Sequence, residues 1–71
     1  MKSLATAMPD EINRVRELQN QYRLLEGMPN VMVAPAIAMM EQSIQQAISA
    51  TASGDVVQML LAYEDLKGFT G

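Results

Sequence analysis

The sequence contains no cysteine and no histidine. A chain of 71 residues buries a small fraction of its unfolded surface, so it usually needs disulfides, metals or association to become stable. Disulfides require thiols, and zinc and most transition metals require thiolate or imidazole ligands. We therefore expect no metal and no cofactor, and association is the remaining route to added stability.

Catalytic residue types are also scarce. A serine or threonine nucleophile needs a neighbouring base, but histidine is absent and the only lysines, Lys2 and Lys67, lie at the ends of the chain. Glu64 and Asp65 could in principle act as an acid and a base, yet adjacent helical residues point in different directions. The sequence predicts a protein that is not an enzyme and has no catalytic residues.

Positive charge is in short supply. The net charge is −3 and the pI is about 4.6, which is the wrong sign for general binding of nucleic acid or of an anionic membrane. Arg16 and Arg23 are nevertheless seven residues apart on one predicted helix, so they could line an outward stripe that contacts a carboxylate or phosphate. A stripe that is merely solvated is the alternative.

Long apolar runs are lacking too. The start resembles a signal peptide through Ala5 and Ala7, but its apolar stretch is shorter than the roughly 7–15 residues that such a segment needs. The apolar run from Val31 to Met40 is about half of the roughly 20 residues that span a bilayer. We expect a cytoplasmic protein with no membrane contact, with residues 1–8 as a flexible N-terminus.

Apolar residues are abundant, at 49% of the chain, and their spacing predicts an all-α protein. The first helix should cover residues 9–26, because Pro9 suits a first helical position and Gly27 suits a position just past the end. Its inner face should consist of residues spaced three or four apart, namely Ile12, Val15, Leu18, Tyr22 and Leu25. No alternating pattern typical of a strand occurs.

Two further helices are predicted at 35–52 and 55–67. Pro35 suits the start of the first of these, and Ser53 is a candidate N-cap for the second, which should end at Gly68 with Phe69 packing back. The expected inner faces are Ile37, Met40, Ile44, Ala47 and Thr51 in one helix and Val56, Leu60, Tyr63 and Leu66 in the other. The chain would then be a single domain built as a three-helix bundle. A single bent helix over 35–67, or a two-helix hairpin with a short docked helix, is the alternative.

Several large apolar residues exceed what these three faces use. They are Met28, Val31, Met32, Val33, Met39, Val57 and Leu61. A contiguous exposed apolar patch generally marks a contact surface, so we expect one around residues 28–40 together with the outer side of the third helix. The alternatives are a monomer whose loop covers the open end of the bundle, and insertion of the apolar run into a membrane.

The second half of the chain has a helix, the turn Ala52-Ser53-Gly54-Asp55 and a helix ending in Tyr63-Glu64-Asp65-Leu66-Lys67. In this it resembles small helical accessory proteins encoded by tailed bacteriophages and prophages. The resemblance covers about half of the chain and assigns no residue a role. It implies a virion component, an assembly factor or a host-takeover protein, all of which act by binding.

The leading interpretation is thus a helical protein for interaction or assembly, either homo-oligomeric or docked on a larger protein. The alternative is a phage-type regulator that blocks a host protein, a defence system or a nucleic-acid machine, through acidic residues or through the arginine stripe. The first should bind with little dependence on salt, and the second should weaken steeply as salt rises.

Overall fold

The computed structural model describes residues 3–70, which form three helices and no strand. The helices are α1 (Leu4–Arg23), α2 (Ala34–Ser53) and α3 (Val56–Lys67). Each helix contacts the other two, and the bundle measures 42 × 21 × 16 Å. The predicted all-α bundle of three helices is confirmed.

The first helix begins five residues before the predicted start. Ser3 is its N-cap, and the serine hydroxyl accepts a hydrogen bond from a main-chain N–H of the first turn at 3.3 Å. Pro9 consequently lies inside α1, where it lacks the N–H of a regular helical residue. The adjacent Met8 is fully buried, and burying such a side chain contributes about 1.5–3 kcal/mol. Residues 4–8 are therefore helical and Met8 belongs to the core, whereas we expected residues 1–8 to be a flexible terminus. Residues 1–2 lie outside the described part.

The end of α1 also differs from the prediction. The helix stops at Arg23, three residues early, and a series of tight turns leads to α2. Gly27 has a left-handed backbone, as a residue after a helix end often does, but so does Asn30 (φ 64°) further along. The connection is therefore a folded loop whose own hydrogen bonds shape it.

The junction between α2 and α3 is a sharp turn, so a single bent helix is excluded. Gly54 adopts φ 74° and donates its N–H back to α2. The N-cap of α3 is Asp55, whose carboxylate accepts from the amides of Val57 and Gln58 at 3.0 and 3.2 Å. Ser53, the predicted cap, instead closes α2 by donating to the carbonyl of Ala50. The carboxylate of Asp55 is a better N-cap than the hydroxyl of Ser53 because it accepts hydrogen bonds from both free amides and its charge complements the helix dipole.

The core lies where the three helices meet. Its buried members are Met8, Val15, Leu18, Met40, Ile44, Ala47, Ala50, Met59, Ala62 and Leu66. The predicted inner faces of α1 and α2 are largely confirmed, except that Leu25 and Thr51 are exposed. Phe69 packs against this core as expected, although Gly68 has an ordinary right-handed backbone.

The inner face of α3 is rotated from the predicted one. Met59 and Ala62 are buried beside Leu66, whereas Val56 and Leu60 face outward. The hydrophobic pattern did not reveal this because nearly every residue in the first half of α3 is apolar, so periodicity favours no side. The first half of α3 is therefore apolar on both its inner and its outer side, but only the inner side is covered by the other two helices.

Candidate interaction surface

The connection between α1 and α2 carries a group of exposed apolar side chains, which we name the tip patch. Its members are Leu24, Leu25, Met28, Val31 and Met32. Leu24 is 82% exposed and Met32 is 88% exposed, so neither contributes much to the fold. Exposed apolar side chains grouped within one short loop are typical of contact surfaces.

The loop that carries the tip patch is anchored to the bundle at its C-terminal end by Val33. Val33 is buried, so it belongs to the interior and not to the exposed surface on which we expected it. Its carbonyl accepts the N–H of Ile37 at 2.9 Å and so begins the hydrogen bonding of α2. Met40, at the far end of the predicted 28–40 surface, is also buried. The exposed large apolar residues of that predicted surface are thus Met28, Val31, Met32 and Met39.

A second apolar surface lies on α3, and we name it the α3 face. It comprises Val56, Val57, Leu60 and Leu61, which are 51–68% exposed. Their spacing of one, three and one places all four on one side of the first turns of the helix. Val57 and Leu61 were predicted to lie here, and Val56 and Leu60 were wrongly assigned to the core.

A groove of about 520 Å³ runs beside the α3 face, between α2 and α3, and we name it the α2–α3 groove. Two buried small residues, Ala50 and Ala62, line it, and Leu61 belongs both to the groove and to the α3 face. Its polar lining includes Gln46 and Asp65. A second groove of about 360 Å³, more apolar, lies between α1 and α2 near Met8, Ile12 and Ile48.

The two arginines of the predicted stripe are partly exposed, and both lie near Glu41 of α2. Arg16 donates from Nη1 to Oε1 of Glu41 on α2 at 2.5 Å, and Nη2 of Arg23 lies 4.0 Å from the same oxygen. Arg16 also donates to the buried Gln19 at 2.9 Å. Arg16 therefore joins α1 to α2 through Glu41, whereas Arg23 is exposed and donates its hydrogen bond to Asn20 of its own helix at 3.3 Å.

Glu41 is the centre of this polar cluster, although its sequence context gave no indication of the role. Gln45, Arg16 and Gln19 donate hydrogen bonds to its carboxylate at 2.8, 2.5 and 3.1 Å. These bonds, with that from Gln45 the largest influence, lower the pKa of Glu41 from 4.5 to about 2. The carboxylate is thus held ionised as part of the α1–α2 contact.

The third arginine acts at the end of α3. Arg14 donates from Nη2 to the main-chain oxygen of Leu66 at 2.9 Å, and from Nε to Glu11 at 2.7 Å. A cation favours the C-terminal end of a helix, where carbonyl groups lack internal partners. Arg14 therefore fastens α1 to α3, and Lys67 nearby lies 5.4 Å from the ring centre of Tyr63.

Within residues 3–70 no group of three or more acidic, histidine or cysteine side chains is placed to hold a metal ion. No helix of this part of the chain has the length and hydropathy needed to cross a membrane. The tip patch and the α3 face both consist of exposed apolar side chains. No protein-family model, no curated protein and no solved structure matches this chain.

Proposed function

We propose that this chain is a non-enzymatic helical interaction protein that acts by docking its tip patch on another protein. The observation that carries the proposal is the exposure of Leu24 and Met32, both above 80%, at the end of a folded bundle. Covering apolar area yields roughly 25 cal/mol per Å², so a partner that buries these side chains would gain binding energy. Leu24 and Leu25 precede the turn at Gly27, and Met28 directly follows it.

The composition of the tip patch suits contact with a protein. Met28 and Met32 have flexible, polarisable side chains that adapt to an irregular surface. The loop is held by its own hydrogen bonds and by the buried Val33, so its main chain is partly ordered before binding. Such preorganisation lowers the entropy lost on association.

The competing proposal, a phage-type inhibitor that grips an acidic site with Arg16 and Arg23, has less support. The Arg16 guanidinium already pairs with Glu41, so a partner carboxylate at Arg16 would have to compete with an existing one. An inhibitor that uses acidic residues to resemble nucleic acid would need many acidic side chains close together. The exposed neighbours Glu64 and Asp65 provide only two.

Site-specific photo-crosslinking in an extract of the native host tests the docking proposal. A photoreactive residue is placed at Met32, and in a matched variant at the exposed polar position Gln42. We expect a discrete adduct from position 32 alone, and it should persist in 0.5 M salt because apolar contacts are not screened. The same adducts at both positions, or none, would contradict the proposal, and an adduct that high salt abolishes would favour the inhibitor.

A further inference from the structure

The methionines of residues 3–70 divide into an exposed group and a buried group. The exposed group is Met28, Met32 and Met39. The buried group, which belongs to the core, is Met8, Met40 and Met59. Two of the three exposed thioethers belong to the tip patch, and the third lies outside it on α2. The patch therefore carries most of the sulfur that this part of the chain exposes to solvent.

Exposure decides which of these sulfurs a dissolved oxidant reaches in the folded chain. Met39 and Met40 are neighbours in one helix, yet they are 59% and 2% exposed, so burial is the main difference between their surroundings. A buried thioether becomes accessible only when the bundle opens, whereas Met32 is accessible at all times. The chain has no cysteine, whose thiolate would compete for the oxidant. Oxidation should therefore begin at the exposed methionines.

We propose that Met28 and Met32 form an oxidation site, at which conversion to methionine sulfoxide switches off docking of the tip patch. This inference rests on the function proposed for the patch and adds its regulation. The oxidant is a peroxide. A sulfur lone pair attacks one peroxide oxygen and the O–O bond breaks, so that this oxygen stays on sulfur and the other leaves as water. Sulfur thereby loses two electrons, which the peroxide gains.

The added oxygen changes what the tip patch offers to a partner. A sulfoxide is polar, so burying it against an apolar surface leaves its oxygen without a hydrogen-bond donor. Met32 is 88% exposed, and oxidation therefore makes polar one of the side chains that docking would cover most. The N–H of Val31 donates to the carbonyl of Met28 at 3.3 Å, which closes a tight turn between the two methionines. One compact loop thus carries both sulfurs.

The fold itself should survive this oxidation. A sulfoxide in a core disrupts packing, but Met8 and Met40 are shielded by the bundle. At Met32 little packing exists to be lost, because most of the side chain already contacts solvent. Docking is therefore expected to disappear while the helices remain, which distinguishes a switch from oxidative damage.

Peptide mapping by mass spectrometry after treatment with hydrogen peroxide tests the site. We expect sulfoxide to form at Met32 about tenfold or more faster than at Met40, with helicity by circular dichroism unchanged. In concentrated urea the two rates should converge, because burial no longer protects Met40. Equal rates in the folded chain, or helicity that falls as Met32 is oxidised, would overturn the proposal.

Photo-crosslinking tests the switch. A photoreactive residue at Leu24, which is 82% exposed, leaves both methionines of the site in place. The chain is oxidised, freed of peroxide and added to a native-host extract that gel filtration has cleared of small reductants. We expect the adduct to fall about tenfold. Methionine sulfoxide reductase with a dithiol should restore it, since the dithiol becomes a disulfide and the sulfoxide oxygen leaves as water.

Two variants assign the effect to these sulfurs. The double variant Met28→Leu with Met32→Leu keeps the patch apolar but removes its thioethers, so its adduct should withstand peroxide. Met39→Leu is the matched control, because it removes an exposed thioether outside the patch and should leave the adduct sensitive. A peroxide-sensitive adduct in the double variant would overturn the proposal.

The remaining outcomes separate the switch from docking itself. Equal adducts from untreated and oxidised chains refute the switch and leave docking intact. No adduct from the untreated chain or from the untreated double variant refutes docking, and the switch with it. The oxidation rates of Met32 and Met40 need no partner, so they report the selectivity of the site independently.

Discussion

The buried side chain of Gln19 on α1 donates a hydrogen bond from Nε2 to the main-chain oxygen of Ile37 on α2, at a distance of 3.2 Å. Its Oε1 accepts from Arg16 at 2.9 Å, so both ends of the amide are satisfied. A slip of one helix along the other would leave this amide buried without partners, which costs about 1–3 kcal/mol. Gln19 therefore fixes the register of α1 on α2, a role that the apolar pattern alone does not perform.

Replacing Gln19 with leucine should destabilise the bundle by about 1–2 kcal/mol, because Arg16 and Glu41 each lose a hydrogen-bond partner. Urea unfolding followed by circular dichroism measures the change in the free energy of unfolding. The matched variant Gln42→Leu alters an exposed position of α2 and should change it by less than about 0.5 kcal/mol. Equal effects of the two variants would refute a special role for the buried amide.

The stability contributed by Glu41 should depend on pH. Its pKa is lowered to about 2 in the folded chain from an ordinary 4.5, so folding favours the ionised carboxylate. The contribution is present above about pH 4.5 and is lost as the pH falls towards 2. Wild type should therefore be more stable than Glu41→Gln at pH 7, and the gap should close near pH 2. Urea titrations at several pH values measure this gap.

Gln45 offers a control for that pH dependence. Gln45→Ala removes the hydrogen bond that most lowers the pKa of Glu41 but leaves Arg16 in place. NMR titration of the Glu41 carboxyl group should then give a pKa above the wild-type value. The gap persisting unchanged at pH 2, or an unaltered pKa in Gln45→Ala, would show that these contacts do not hold the carboxylate ionised.

Gly54 should be sensitive to replacement for a conformational reason alone. Its φ of 74° is costly for residues with a Cβ atom, although open space surrounds the position of the missing Cβ. Gly54→Ala should lower the free energy of unfolding by about 1 kcal/mol, and Gly54→Asn by less, because asparagine tolerates the left-handed region better. Thermal and urea unfolding compare the two. If asparagine proved as costly as alanine, the left-handed backbone would not be the cause.

The sequence predicted those parts of the fold where polar and apolar residues alternate with helical spacing. In α2, Ile44 and Ala47 were recognised as core because glutamines occupy the opposite side. In α3, apolar residues surround the first turns, and which of them is buried is decided by packing against α1 and α2. Periodicity contains no information about that choice, so Val56 and Leu60 were assigned to the inner face although both are exposed.

The candidate surface was predictable to a similar extent. Met28 and Met32 stood out because turn residues flank them, and the structure exposes both. The pairing of Arg16 with Glu41 was not predictable, since the two residues are 25 positions apart and meet only once α1 and α2 adopt their register. An excess of apolar residues beyond those that the core needs can thus be recognised from a sequence. A contact between two helices can be predicted only once their relative positions are known.

Met8 provides the sharpest test of the early start of α1. Its side chain is fully buried, so Met8→Ala should cost about 2–5 kcal/mol through lost burial and the cavity that remains. Met32→Ala is the matched control, because the same substitution at an 88% exposed position should cost less than about 0.5 kcal/mol. The free energy of unfolding from urea titration measures both. If Met8→Ala were as mild as Met32→Ala, residues 4–8 would not be packed in the core. The first helix would then contribute to the bundle only from Pro9 onward, as the sequence predicted.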